Sequence, residues 1–197
     1  MTYHSQAGQD KWVHDIIGDK GFFVDIGAYD GVQTSNTYAL EYLGWKGICV
    51  EAEVNAYNKC IRERTNVSVN KAVTNYKGIA MFAGDRIGGE ISVKCDTLQG
   101  ILRDYTAPSV IDYLSMDIEG HEFTVLNAFP FDEFRFKLMT IEHNLYCDGP
   151  TNKDALYELL TRNGYIRVVE DAPCLDPTPA WYMQPYEDWY RHESFKI

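Results

Sequence analysis

Three short stretches of this 197-residue sequence gather polar side chains where an apolar run ends, and each could carry chemistry. The first is Phe22-Phe23-Val24-Asp25-Ile26-Gly27-Ala28-Tyr29-Asp30-Gly31, followed closely by Ser35-Asn36-Thr37. The second is Ser115-Met116-Asp117-Ile118-Glu119-Gly120-His121-Glu122, and the third is Ile141-Glu142-His143-Asn144. Titratable groups crowded at one junction are costly unless they are solvated, paired or used. His143 is the natural general base, since imidazole titrates near ~6.5. Asp117 should lie at the tip of the neighbouring strand and converge with it on one point. Alternatively, Asp117, Glu142 and Asn144, with His143 as a nitrogen donor, could hold a divalent ion such as Mg²⁺ or Mn²⁺. Glu119 and Glu122 stand near a helix start, where the helix dipole favours acids, so capping explains them as well as chemistry does.

The first stretch reads as a buried strand, a tight loop and a helix start. Gly27 and Gly31 would let the backbone approach a ligand closely. The spacing Asp-x-Gly-x-x-x-Gly is neither the Gly-x-Gly-x-x-Gly of dinucleotide folds nor a phosphate-binding P-loop. A carboxylate there suits a ligand bearing positive charge and hydroxyls better than a pyrophosphate. Glu51 closes the next apolar run, Gly47-Ile48-Cys49-Val50. Doubly wound folds place an acid at that interval on ribose hydroxyls, and a carboxylate can accept both bonds of a vicinal diol.

These tips need a frame, and the periodicity supplies one. A helix capped by Ser5 runs to about Ile17, and strands follow at about 21–26, 47–51, 67–73, 111–117, 136–142 and 165–169. Helices at about 35–43, 56–64, 98–105, from Glu122 onward, and 153–163 lie between them. Segments 79–82 and 90–93 flank a glycine-rich turn, Gly84 to Gly89, and read as a hairpin or irregular excursion. Alternating strands and helices imply an α/β, Rossmann-like, doubly wound and mostly parallel sheet, with room for an antiparallel edge strand. No repeat or linker interrupts residues 1–197, so one domain is expected, with an N-terminal helix within 1–20 and an aromatic-rich tail at 173–197.

Composition narrows the function classes. The formal net charge of -11 provides no basic excess for nucleic acid or an anionic membrane. No stretch reaches the ~18–20 apolar residues of a membrane span. The five cysteines are odd in number, dispersed and without Cys-x-x-Cys, which fits reduced thiols in a cytoplasmic protein.

At this point the chain resembles the FkbM-type methyltransferases, a branch of the class I S-adenosylmethionine-dependent O-methyltransferases. The resemblance rests on Ser5-Gln6-Ala7-Gly8-Gln9-Asp10, Val24 to Gly31, Ser35-Asn36-Thr37, Gly47 to Glu51, Met116 to Glu122 and Ile141 to Asn144. It spans about Ser5 to Val169, and the Asp-Ile-Glu-Gly-His-Glu run is its most specific part. Glu51-Ala52-Glu53 departs from the Glu-Pro common in such proteins. The resemblance implies the class I methyltransferase fold and methyl transfer from S-adenosylmethionine to a hydroxyl of a sugar, glycan or other small molecule. It implies cofactor contacts from Gln9, Asp25, Gly27, Ala28, Asp30, Gly31, Ser35, Asn36, Thr37, Glu51, Ala52, Ala72 and Asp117. Catalysis would fall to Asp117, His143 and Glu119. A non-catalytic cofactor-binding module, or a nicotinamide oxidoreductase, would use the same crevice.

Overall fold

The computed structural model describes residues 2–84, 89–178, 180 and 182–196. The expected turn between Gly84 and Gly89 lies outside the described residues. Helix α1 (Gln9–Ile17) leads into β1 (Phe22–Ile26), α2 (Tyr38–Leu43), β2 (Lys46–Glu51), α3 (Val54–Glu63) and β3 (Val67–Asn70). Then come β4 (Ala72–Thr74), β5 (Gly78–Gly84), β6 (Gly89–Thr97), α4 (Leu98–Asp104), β7 (Val110–Met116), α5 (Glu122–Asn127) and β8 (Arg135–Glu142). The chain ends with α6 (Leu145–Asp148), α7 (Pro150–Arg162), β9 (Tyr165–Pro173) and β10 (Pro185–His192).

Seven strands form the main sheet in the order β3-β2-β1-β7-β8-β10-β9. The pairs β1/β2, β1/β7, β2/β3 and β7/β8 are parallel, and β10 runs antiparallel to both β8 and β9. The antiparallel strand is therefore built from the aromatic tail and sits one place in from the edge. Strands β1, β7 and β8 are buried almost end to end, as expected where helices cover both faces of a parallel sheet. One apolar cluster, centred on Val24, Ile26, Leu114, Met116, Met139 and Ile141, fills one face. The other, with Phe23, Cys49, Tyr113 and Leu138, packs against Val13 of α1 and Trp45. No helix among the described residues is long and apolar enough to cross a membrane.

Two expectations change. The strand read as 67–73 is two strands: β3 pairs with β2, whereas β4 pairs with β6 in a separate three-stranded sheet, β4-β6-β5. The break falls at Lys71, whose ammonium meets buried Asp96 at 2.8 Å, and Asn70 Nδ2 donates to the carbonyls of Glu51 (2.9 Å) and Ala52 (3.0 Å). These polar attachments pull the chain out of the first sheet. Ser5 does not cap α1; Gly8 precedes the helix, and Ser5 Oγ instead donates to Asp10 Oδ1 at 2.5 Å.

Where β1 ends, the backbone leaves no space for a side chain. Gly27 has φ +87°, and a Cβ there would stand 1.8 Å from the carbonyl oxygen of Asp117. The tips of β1 and β7 are thus in direct backbone contact, also tied by Asp117 N donating to Ile26 O at 3.0 Å. Glycine at 27 is what lets the first and second polar stretches share one crevice.

Candidate active site

The loop after β1 is organised from beneath by Arg64, a residue with no signal in the sequence beyond ending a helix. Its buried guanidinium donates to Glu41 Oε2 (2.6 Å), Gly31 O (3.0 Å), Ser35 Oγ (3.3 Å) and Thr37 Oγ1 (2.9 Å). It also lies over the rings of Phe23 and Tyr38, at 5.3 and 5.7 Å. Thr37 Oγ1 passes the network on, donating to Asp25 Oδ2 at 2.6 Å. Burial raises the Asp25 pKa, and the Arg64 charge and the Thr37 bond oppose that rise. Ser35 Oγ accepts from the amides of Thr37 and Tyr38 and so starts α2. Asp25, Ser35 and Thr37, expected at the cofactor, are occupied in shaping the loop that would receive it.

The remaining loop residues divide similarly. Asp30 Oδ1 accepts from the amides of Val32 (3.1 Å) and Gln33 (2.9 Å), a turn-forming role. Ala28 is buried, and the Gly31 amide donates to its carbonyl at 2.9 Å. Asn36 Nδ2 donates to Ser115 Oγ at 3.0 Å, tying the loop to β7, while its Oδ1 is buried without a partner. Tyr29 and Thr34 hold positive φ of 50° and 56°. For a β-branched threonine this is an uncommon conformation, of the kind that concentrates at ligand-binding loops.

Glu51 stands across from this loop at the end of β2. Its Oε2 accepts from the Tyr29 amide (2.8 Å) and its Oε1 from the Glu53 amide (2.7 Å). One backbone donor pins each oxygen, so each keeps acceptor capacity for a hydroxyl. Burial raises the Glu51 pKa, and these backbone bonds counter it. Ala52 and Ala72 flank this end: Ala52 packs against the small cluster of Ala72, Val93 and Cys95.

At the tips of β7 and β8, the Asp117 and Glu142 carboxyls stand close enough for each charge to disfavour the other. Two like charges held together are costly, and a proton on Glu142 relieves that cost. The Glu142 pKa is accordingly raised well above the usual range, by burial first and then by the charges of Asp117, Glu122 and Glu119. As a bare carboxylate, Glu142 would leave Oε2 buried and unpartnered. Asn144 completes the group: its amide nitrogen donates to Glu142 Oε1 at 3.0 Å and its oxygen accepts from Gly120 N at 3.2 Å in the orientation that satisfies both. Glu119 is exposed on the adjoining turn, with φ +57°. Glu122 is fully buried; its Oε1 accepts from the amides of Ile118 (2.8 Å) and Gly120 (3.3 Å), the local bracing role that the helix start suggested. Burial pushes its pKa to about 7.

His143 takes a different direction from the one expected. Its Nδ1 accepts from the Leu145 amide at 3.3 Å, and its Nε2 faces Asp171 Oδ1 and Asp188 Oδ1, each at 3.5 Å. The expected meeting of Asp117 with His143 is thus a meeting of Asp117 with Glu142. The reason is alternation: consecutive residues leave a strand end toward opposite sides, so Glu142 and His143 serve different neighbours.

The crevice is closed on the side of α1. Gln9 Nε2 donates to Tyr186 Oη at 2.5 Å, and Gln9 Oε1 accepts from Ala7 N at 2.8 Å. Asp10 Oδ2 accepts from His4 N at 2.6 Å, and Leu175 N donates to Gln6 O at 2.7 Å. Between this segment and the β1 loop lies a cleft of about 330 Å³, lined by His4, Ser5, Gln6, Gly8, Thr34, Leu175 and Asp176.

Below Gln9, Glu187 is buried, accepting from Trp189 Nε1 at 2.5 Å, and burial pushes its pKa to about 8. An acid raised in the folded state stabilises the fold fully below its unfolded pKa of about 4.5, and that contribution is lost as pH rises through about 8. Glu122 acts in the same sense through about 7. Melting temperature should therefore fall between about pH 4.5 and pH 8, and Glu187→Gln should flatten the fall. Scanning calorimetry across that range checks this; equal slopes in both proteins would remove Glu187 from the account.

Residues 81–167 match the family model described as the methyltransferase FkbM domain, from β5 into β9. No curated protein sequence matches the chain. Among solved structures, the chain is similar to a proposed rRNA methylase from Clostridium thermocellum, at 12% identity and TM-score 0.57, covering 98% of each chain. It is similar to a proposed RNA methyltransferase from Pyrococcus horikoshii at 14% identity and TM-score 0.54, covering 93% of this chain and 81% of that one. It is also similar to Aeropyrum pernix fibrillarin with natively bound S-adenosyl-L-methionine, at 13% identity and TM-score 0.53, covering 94% and 74%. The resemblance read from the strand-tip residues is borne out: this chain carries an FkbM methyltransferase domain match over residues 81–167 on the class I methyltransferase fold.

Proposed function

We propose that this chain is an S-adenosylmethionine-dependent methyltransferase acting on a hydroxyl of a sugar or other small molecule. The observation that carries the reading is the approach of the Asp117 and Glu142 carboxyls beside the glycine loop and Glu51, which one shared proton would reconcile. Glu51, with one backbone donor on each oxygen, fits a ribose diol, and Gly27 brings the tip of β7 against the same loop. When bound, the cofactor supplies a methyl group already activated on a sulfonium. The chain's own part is to align an acceptor oxygen with that methyl and to take the acceptor's proton onto the Asp117–Glu142 pair. His143 and Glu119, also read as catalytic, act in this scheme from outside that pair. The net charge of -11 weighs against an RNA acceptor.

A second reading of the same tips is favoured by one observation: Glu142 Oε2 is partnered only if a proton or a cation lies beside it. Asp117, Glu142 and Asn144 would then hold Mg²⁺ or Mn²⁺, which suits all-oxygen ligands. Activity that a chelator abolishes and Mg²⁺ restores would select this version; chelator-resistant activity selects the proton-sharing pair.

The test of the cofactor site is Glu51→Ala. Charge-assisted hydrogen bonds contribute about 1.5–3 kcal/mol each, so the Kd for S-adenosylhomocysteine should rise more than about tenfold. Calorimetric titration reads it, and an unchanged Kd would place the ribose elsewhere.

A further inference from the structure

We propose that His143, Asp171 and Asp188 form a binding site for a divalent first-row transition ion, separate from the Asp117–Glu142 pair. One nitrogen from just past β8 and two carboxylate oxygens from β9 and β10 come together: His143 Nε2, Asp171 Oδ1 and Asp188 Oδ1 all lie within 4.8 Å of one another. His143 is 1% exposed, and its Nε2 is buried without a hydrogen-bond partner. At 3.5 Å from both carboxylates it is too far for a hydrogen bond of ordinary length, yet aimed between them. An ion ~2.0–2.2 Å from each ligand atom would bridge that gap.

The backbone is shaped to this meeting. Between Glu187 and Trp189 the β9–β10 register shifts, so that three steps of β9 (Ala172 to Val169) oppose two steps of β10. Such a bulge re-aims a side chain, and Asp171 within it has φ +56°. Asn144, directly after His143, is also left-handed, at φ 54°.

The surroundings define the competition. Lys153 Nζ holds Asp171 Oδ1 at 2.7 Å and Glu170 Oε1 at 3.0 Å, so it can yield Asp171 and keep Glu170. Arg167 holds Asp188 through Oδ2 at 2.9 Å, while Asp188 Oδ1 accepts from Asp171 N at 2.8 Å and keeps acceptor capacity. Ligation at Nε2 moves the imidazole proton to Nδ1 and gives up the long 3.3 Å bond from Leu145. The imidazole favours an ion such as Zn²⁺ or Co²⁺ over Ca²⁺ or Mg²⁺, and the two carboxylates also admit Mn²⁺. The ion would clasp the tip of β8 to the β9–β10 edge, binding without redox chemistry.

Titrating tag-free, metal-free protein with Co²⁺, followed by visible absorption, and with Mn²⁺, followed by pulsed paramagnetic resonance, tests the site. The expected result is one equivalent bound, with nitrogen coupling to Mn²⁺. Asp171→Asn, at a partly exposed position, should raise the Kd at least tenfold, and His143→Gln should remove the nitrogen coupling. Lys153→Met should tighten binding by freeing Asp171 from its competitor. Glu142→Gln should leave both signals unchanged, which separates this site from the all-oxygen one. Absent nitrogen coupling, or Asp171→Asn and Lys153→Met both binding like the parent protein, would overturn the proposal.

Discussion

Asp117→Asn is expected to lower turnover by about 10²–10⁴-fold while leaving the Kd for S-adenosylhomocysteine within about tenfold. An acceptor hydroxyl must lose its proton as its oxygen bonds to the methyl carbon. An ordinary carboxylate, with a pKa near ~4, is a poor match for that task at neutral pH. Burial and the neighbouring acids, Asp117 foremost, correct the mismatch by raising Glu142, so that the two titrate as a pair. Rate should therefore rise with pH as the pair gives up its shared proton. Glu142→Gln should retain a donor to Asp117 but no shared proton, so the rising limb should move to lower pH as turnover drops. Because the two residues act together, the double variant should cost little more than either alone. Single-turnover kinetics with labelled cofactor reads all three variants; an Asp117→Asn protein with parental turnover would remove the pair from the reaction.

Arg64→Met should be the most destabilising single change on the cofactor side, costing about 3–5 kcal/mol. The guanidinium is enclosed, and its removal strands Glu41, Gly31 O, Ser35 and Thr37 together, with buried Asp25 behind them. Asp25 already has a pKa raised by burial, and Arg64 is the charge that restrains it. Methionine keeps the volume and the packing against Phe23 and Tyr38 but leaves those polar groups unpaired. Arg64→Lys should recover only part of the loss, since one ammonium cannot reproduce a planar fork aimed at four acceptors. Urea unfolding gives the stability. The thermal shift caused by S-adenosylhomocysteine shows whether the loop still forms, and a near-parental midpoint for Arg64→Met would show that the network is dispensable.

The frame and the strand tips were written locally. Apolar runs read as ending at about Ile26, Glu51, Asp117 and Glu142 match β1, β2, β7 and β8 closely, because a strand buried on both faces must be apolar along its length. Glycine at 27 and acids at 51 and 117 were legible for the same reason: strand ends are where polar groups can meet a ligand. What alternation and spacing could not settle was which tips meet. Glu142 and His143 are adjacent in sequence, yet one joins Asp117 and the other joins Asp171 and Asp188, since that choice depends on the strands lying alongside. The aromatic tail left room for an antiparallel strand but did not fix β10, because Glu187, Asp188 and Arg191 interrupt its apolar pattern; they are tolerated in the sheet because Trp189, Arg167 and the Phe195 carbonyl pair with them. Arg64 was equally silent, an ordinary helix-end cation until the fold places Asp25, Glu41 and the Gly31 loop around it. Sequence determines where a chain can bury or turn; partners distant along it, brought together only by tertiary structure, decide which polar groups stay charged, share a proton or face a ligand.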